Sequence, residues 1–243
     1  MSAWDTYAKR IGVRGGTKRE ASRRVEISRL KQHLPDNLSY QHVELNGVEQ
    51  DVEIINTENL STKRIRSMPG ESLIHGGLVD WKDSKWLITE LDAHDELYES
   101  GVIERCNQLV RWVTPEGDWV ERWGIVVDGT KYLIGENTKK MMTIGDARMS
   151  LTIAKDDETK RLHTGTRMFL GDPDAEQAMA YEITKPNTLY NVYNGEGVYR
   201  YILNQVVIVD EDDTGERMAD AEGRGFKDPV TTPEHIRETG VYI

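Results

Sequence analysis

Six histidines, one cysteine and a dense scatter of carboxylates are the side chains of this sequence that could do chemistry. The histidines, at positions 33, 42, 75, 94, 163 and 235, never fall at H-x-x-x-H or H-E-x-x-H spacing, so metal hydrolysis gets no support from them. The sequence has no G-x-x-x-x-G-K-[ST] phosphate loop, no G-x-G-x-x-G opening a helix and no G-x-S-x-G elbow. Cys106 lies in an apolar run predicted to be a strand, where a lone cysteine acts as a small buried group. A single cysteine also excludes an internal disulfide framework and a multi-cysteine zinc site. The sharpest local pattern is Asp210-Glu211-Asp212-Asp213-Thr214-Gly215, with acids at positions 1 and 3 and glycine at position 6 of a calcium loop. Position 12 is Ala221, where such a loop needs a bidentate Glu, so a solvated turn is expected instead. These residues predict no catalytic group, no cofactor site and no metal site. The expectation is a protein that is not an enzyme.

The elements that carry these residues read as mainly β. With 243 residues there is material for one large domain or two modest ones. Five of the six tryptophans (Trp81, Trp86, Trp112, Trp119 and Trp123) lie between Met68 and Glu136, which marks that stretch as the natural site of a main core. Tyr40–Leu45, Asn46-Gly47 and Val48–Ile55 form a strong hairpin signal, because Asn-Gly supplies both positive-φ positions of a type I′ turn. Further strands are predicted at 76–81, 85–91, 102–113, 119–127 and 131–136, then at 148–154, 166–170, 178–184 and 198–209. Turn-formers separate the later ones, at Gly171-Asp172-Pro173-Asp174 and Asn194-Gly195-Glu196-Gly197.

Before the strands comes a helical arm. Thr17-Lys18-Arg19-Glu20 fits the S/T-x-x-E capping box, Gly15-Gly16 precedes it as a joint, and Pro35 ends the helix. A second short helix is expected around Trp4–Arg10. The division that follows is a basic helical arm over 1–35, a β-barrel or sandwich over 36–145, a second small sandwich-like β domain over 146–212 and a polar tail over 213–243. No apolar run approaches the roughly 20 residues that span a bilayer, and no apolar signal core opens the chain, so no membrane partner is expected.

Charge is unevenly distributed. Residues 1–34 hold nine Lys/Arg against three acids, a net +6, within a chain of net charge −11, which leaves −17 for the remainder. A basic arm on an acidic body favours either nucleic acid at the arm or like subunits joined head to tail. Arg10, Arg14, Lys18, Arg19, Arg23 and Arg24 are the candidate contact residues of that arm. A second candidate is the loop Met68-Pro69-Gly70-Glu71 with His75-Gly76-Gly77. Paired glycines beside a strand ordinarily mean a turn or bulge. The functional alternative is a loop that leaves the barrel for a neighbouring subunit.

With those residues in view, the chain resembles the neck proteins of tailed bacteriophages, the head-closure or head-to-tail connector proteins. The resemblance rests on Leu34-Pro35-Asp36-Asn37-Leu38-Ser39-Tyr40, Ser67-Met68-Pro69-Gly70-Glu71 and His75-Gly76-Gly77-Leu78-Val79-Asp80-Trp81. It continues through Trp86-Leu87-Ile88-Thr89-Glu90-Leu91-Asp92-Ala93, Arg105-Cys106-Asn107, Arg111-Trp112 and Asp128-Gly129-Thr130-Lys131-Tyr132-Leu133-Ile134-Gly135-Glu136. It implies a structural virion protein, assembled in the host cytoplasm and located in the neck between head and tail. Its partners would be copies of itself in a cyclic homo-oligomeric ring, a portal or adaptor protein, tail proteins, and genomic DNA in the channel. Two other classes fit the residues less well: a nucleic-acid-binding barrel of the OB type, stacking bases on aromatics such as Tyr132 or Trp119, and a different tail-associated structural subunit.

Overall fold

The computed structural model describes residues 3–10, 17–114, 116–128, 148–172, 174–189 and 191–219. Two helices come first: α1 (Ala3–Arg10) and α2 (Lys18–His33). The predicted capping box opens α2, with the Glu20 N–H donating to Thr17 Oγ1 at 3.2 Å and the Thr17 N–H donating to Glu20 Oε2 at 2.9 Å. The helix ends ahead of Pro35 in a single 3-10 turn, Leu34–Asp36. Little of the helix is turned inward: Ala21 is buried, but Val25 is exposed.

Thirteen strands follow among the described residues, and the fold is mainly β, as expected. The chain divides into two compact units, 1–106 with 191–198, and 107–190 with 199–243. In the first unit β1 (Tyr40–Leu45), β2 (Val48–Asn56), β3 (Thr62–Ser67), β6 (Ser100–Arg105), β5 (Ser84–Asp92) and β4 (Leu78–Trp81) form a closed barrel in that order. Every neighbouring pair is antiparallel, and β4 returns to β1 through Glu44↔Asp80 and Leu45↔Val79. The Asn46-Gly47 turn has φ of 50° and 83°, the predicted type I′ signature. Lys82-Asp83 makes the same kind of turn, at 50° and 58°, without a glycine. Alternation then sends Val43, Leu45, Val52, Ile54, Ile65, Val79, Trp86, Ile88 and Ile103 into one core.

The second unit is a sheet in the order β10 (Arg167–Leu170), β11 (Met179–Asn187), β13 (Glu196–Val206), β9 (Arg148–Ala154), β8 (Trp119–Asp128) and β7 (Gln108–Val113). A two-residue strand, β12 (Val192–Tyr193), pairs with the start of β13 through an Asn194-Gly195 turn. Trp112, Leu151, Ile153, Met168, Ile183, Tyr201 and Leu203 are fully buried in this unit. The sheet curls until its end strands are tied by one side chain. Gly171 N–H donates to Gln108 Oε1 at 2.8 Å, and Gln108 Nε2 donates to the Gly171 carbonyl at 3.4 Å.

Three boundaries differ from those expected. The barrel does not extend over 36–145; it closes with β6, and the strand predicted at 102–113 is two strands. Cys106 and Asn107 interrupt it because β6 pairs with β3 and β5, whereas β7 pairs with β8. Asn107 fixes the break: its Nδ2 donates to the Val126 carbonyl at 2.7 Å and its Oδ1 accepts from Val126 N–H at 2.8 Å. The tryptophan-rich stretch is therefore shared between two cores rather than building one. Nor does the second unit stop at 212, since Met218 and Ala219 are buried, Ala219 against Phe169 and Ala180. The boundary expected near 137–146 and the strand at 131–136 fall outside the described residues, as does the chain beyond Ala219.

Candidate functional site

The arm carries the first group of candidates. Thr17 fixes where α2 starts, and within its first two turns Arg19 forms an ion pair with Glu96 while Arg23 Nε donates to the Glu96 carbonyl at 2.8 Å. Glu96 sits in the β5–β6 connection of the barrel, so these two arginines hold α2 on its own unit. Arg24 Nε reaches back to the Glu20 carbonyl at 3.4 Å, and Lys18 is exposed on the first turn. The side chain of Arg10, and all of Arg14, lie outside the described residues. In α1 residues 3–7 are all exposed, two aromatics among them. Trp4 is 71% and Tyr7 54% exposed, and their rings stack on each other at 5.6 Å.

The loop from Met68 to Gly77 is built into the barrel. Met68, Pro69, Leu73, His75 and Gly77 are buried, and Gly70, Glu71, Ser72 and Ile74 are exposed. Glu71 N–H closes a turn onto the Met68 carbonyl at 3.0 Å, and Leu73 N–H donates to Glu99 Oε2 at 2.6 Å. His75 bonds through Nε2 to the Thr89 carbonyl at 3.0 Å and stacks on Tyr193 at 5.8 Å. Gly76 has φ of 83°, and a Cβ there would lie 2.0 Å from the Gly197 carbonyl oxygen. Gly197, at φ 141°, meets the Asn191 carbonyl as closely. The glycine pair thus admits the 191–198 hairpin against the loop, within the first unit. The loop's own chain takes up most of what the sequence offered to a neighbour.

The motif Leu34–Tyr40 acquires a structural role. Asn37 Nδ2 donates to Glu53 Oε1 at 3.1 Å and Ser39 Oγ to the same oxygen at 2.7 Å, while Arg66 Nη1 reaches Glu53 Oε2 at 3.2 Å. Glu53, 7% exposed, therefore ties the end of the arm to β2. A buried carboxylate survives only with such partners.

One titratable cluster escaped the sequence reading. On the outer face of β1 and β2, Asp51 accepts from the Tyr40 hydroxyl and His42 Nδ1 lies 2.8 Å from Asp51 Oδ1. The Tyr40 and His42 bonds hold the Asp51 carboxyl below its ordinary range. The same Asp51 bond raises His42 and pushes the Tyr40 phenol up to about 12. The two-residue Asn46-Gly47 turn sets Leu45 opposite Val48 and hence His42 opposite Asp51, so the register signal was already present. The arrangement keeps the phenol protonated at neutral pH and therefore unreactive as a nucleophile. Cys106 is similar: burial first, then the Glu104 charge, pushes its thiol up to about 12.

The acidic run Asp210–Gly215 is a turn bound up with its own unit. Asp212, its side chain fully buried, pairs with Arg167 Nη2 at 2.6 Å, and Asp213 Oδ1 accepts from the Gly215 and Glu216 N–H groups at 2.9 and 3.0 Å. Among the described residues no group of three or more His, Cys, Asp and Glu side chains could hold a metal ion. No described helix is long and apolar enough to cross a membrane.

No family model and no curated protein matches the chain. Two solved structures align with it. One is of MrkH, a c-di-GMP-dependent transcription regulatory factor (TM-score 0.24, 10% identity, 84% of this chain and 88% of that one). The other is of K. pneumonia MrkH in its apo state (TM-score 0.24, 11% identity, 80% and 88%). A likeness that distant carries no argument about fold or function. The class defined by the structure is a mainly β protein of two barrel-like units behind a helical arm.

Proposed function

We propose that the chain is a structural subunit of a tailed-phage neck, forming a homo-oligomeric ring that joins portal to tail and helps retain or guide the genome. The resemblance in sequence suggests the class, and one structural observation supports it most directly. A short helix displays two exposed, stacked aromatics on a basic segment, while the rest of the chain carries the opposite charge. A ring closed by head-to-tail contacts needs two different, complementary surfaces on each copy, and this chain offers such a pair. An acidic channel wall would also let DNA slide, because it repels phosphates. The loop 68–77 has a smaller part in this reading than its sequence suggested, since Gly70, Glu71, Ser72 and Ile74 are the exposed residues left to meet a partner. In the nucleic-acid alternative, Trp119, at 56% exposed, is one of the described aromatics that could stack a base, and Tyr132 lies outside the described residues.

The test is the solution mass of the full chain across concentration, alone and with a portal complex. Rings, or a monomer that becomes stoichiometrically bound to portal, are expected. A monomer indifferent to portal that binds DNA in a salt-sensitive way would replace this reading with the nucleic-acid one.

A further inference from the structure

At the far end of the β11–β13 pair lies a groove of about 610 Å³, lined by Ala178, Met179, Ala180, Val206, Val207 and Ile208 with flanking glutamines. Its volume is within the range of sites that take a few large side chains. Val207 is 82% exposed, Val209 41%, Met179 37% and Ile208 37%, a cluster of apolar surface on one end of a single unit. The charged exposed residues flanking it in the chain are acidic: Asp172, Asp174, Glu176 and Asp210. Arg167, which reaches the groove's Val207 carbonyl at 2.9 Å, is also engaged by Asp212.

We propose that this groove receives α1 of a second copy of the chain, with Trp4 and Tyr7 as the anchors. Trp and Tyr are the side chains that most often dominate an interface when they enter an apolar pocket. The stacked pair is presented ready-made and is covered by little of its own unit. Charge selects this occupant. The first 34 residues carry a net +6, against the acids around the groove. The chain's own residues 220–243 hold five acids against three bases and would meet like charge. The contact is heterologous, arm to groove, so each copy has one of each and the assembly can close into a ring. This inference rests on the proposed ring and names the surfaces that would build it.

The test uses the full chain and two variants altered only at exposed positions, so folding is not at stake. W4A/Y7A lacks the anchors but keeps the groove; Val207→Lys keeps the anchors but puts a cation in the groove. Sedimentation across concentration is expected to show self-association of the wild type, weakened at least about tenfold in each variant. Mixed together, the two variants regain one competent interface per pair and form heterodimers that grow no further. Raising salt weakens the wild-type assembly. If the wild type forms rings and both variants form them equally well, the arm–groove contact is wrong while the ring stands. If the wild type stays monomeric with and without portal, both fall. Variants that lose assembly but do not complement each other would also overturn arm-to-groove exchange.

Discussion

In the first unit, main-chain hydrogen bonds join every strand to the next, down to the β1–β4 pairing at Glu44↔Asp80 and Leu45↔Val79. In the second, the ladder runs from β10 to β7 and the amide side chain of Gln108 bridges the ends. The two closures depend on different information. A main-chain ladder is fixed by register, and hairpin turns such as Asn46-Gly47 set that register locally. A bridge made by one side chain depends on a single residue and leaves two strand edges beside each other. The barrel therefore tolerates surface substitution, and its vulnerable points are where backbones touch. The second unit is vulnerable at individual polar side chains.

Four substitutions would break or sharpen this contrast. Gly76→Ala has the largest expected effect, on the order of 4 kcal/mol, from the positive φ and the collision with the Gly197 carbonyl. Hydrogen exchange should show protection lost across the barrel and the 191–198 hairpin. Equal loss over β7–β11 would mean that the two units do not unfold as separate bodies.

Asp212→Ala leaves the half-buried Arg167 without its charge partner and should cost about 3 kcal/mol, read from urea unfolding followed in the second unit. A cost near zero would show that the turn at Asp210–Gly215 is solvated, as the sequence alone suggested. Gln108→Ala removes the bridge and should cost about 1 kcal/mol. Its signature is faster exchange of the Gly171 amide with the β1–β4 ladder unchanged. If Gly171 stays protected, the strand edges hold each other without Gln108.

The smallest effect is at the surface. Asp51→Asn should bring the His42 titration down toward the ordinary value of 6.5, measured by NMR. His42 is raised in the folded state, so its contribution is complete below pH 6.5 and fades as pH rises through the raised value. Asp51 is lowered, so its share is present above pH 3.8 and is lost as pH falls through the folded value. A His42 titration that ignores the substitution would mean that the hydrogen bond does not persist in solution.

Much of the local structure was legible in the sequence. The capping box at Thr17, the Asn46-Gly47 hairpin and the strand at 148–154 all follow from short-range rules, where a few neighbours decide the backbone. Strand β3 was hidden because its inward positions are Lys63, Ile65 and Ser67, so only one of three is apolar; Lys63 and Ser67 are nevertheless buried. No periodicity marks such a strand. The candidate contact residues were half legible. The arm stood out by charge, but that Arg19 and Arg23 reach Glu96, more than seventy residues away, is written nowhere in the arm.

The sequence by itself determined the fold class, the helical arm and its charge, and the turns that set β1 against β2. Those depend on propensity and on contacts within a few residues. Only the tertiary structure decided that the apolar run through Cys106 divides between two units, that Gly76 is a glycine because Gly197 touches it, and that Asp212 belongs to Arg167. Each of these is a pairing between distant residues. A linear sequence shows the partners' types, and folding alone selects which of many compatible partners meet.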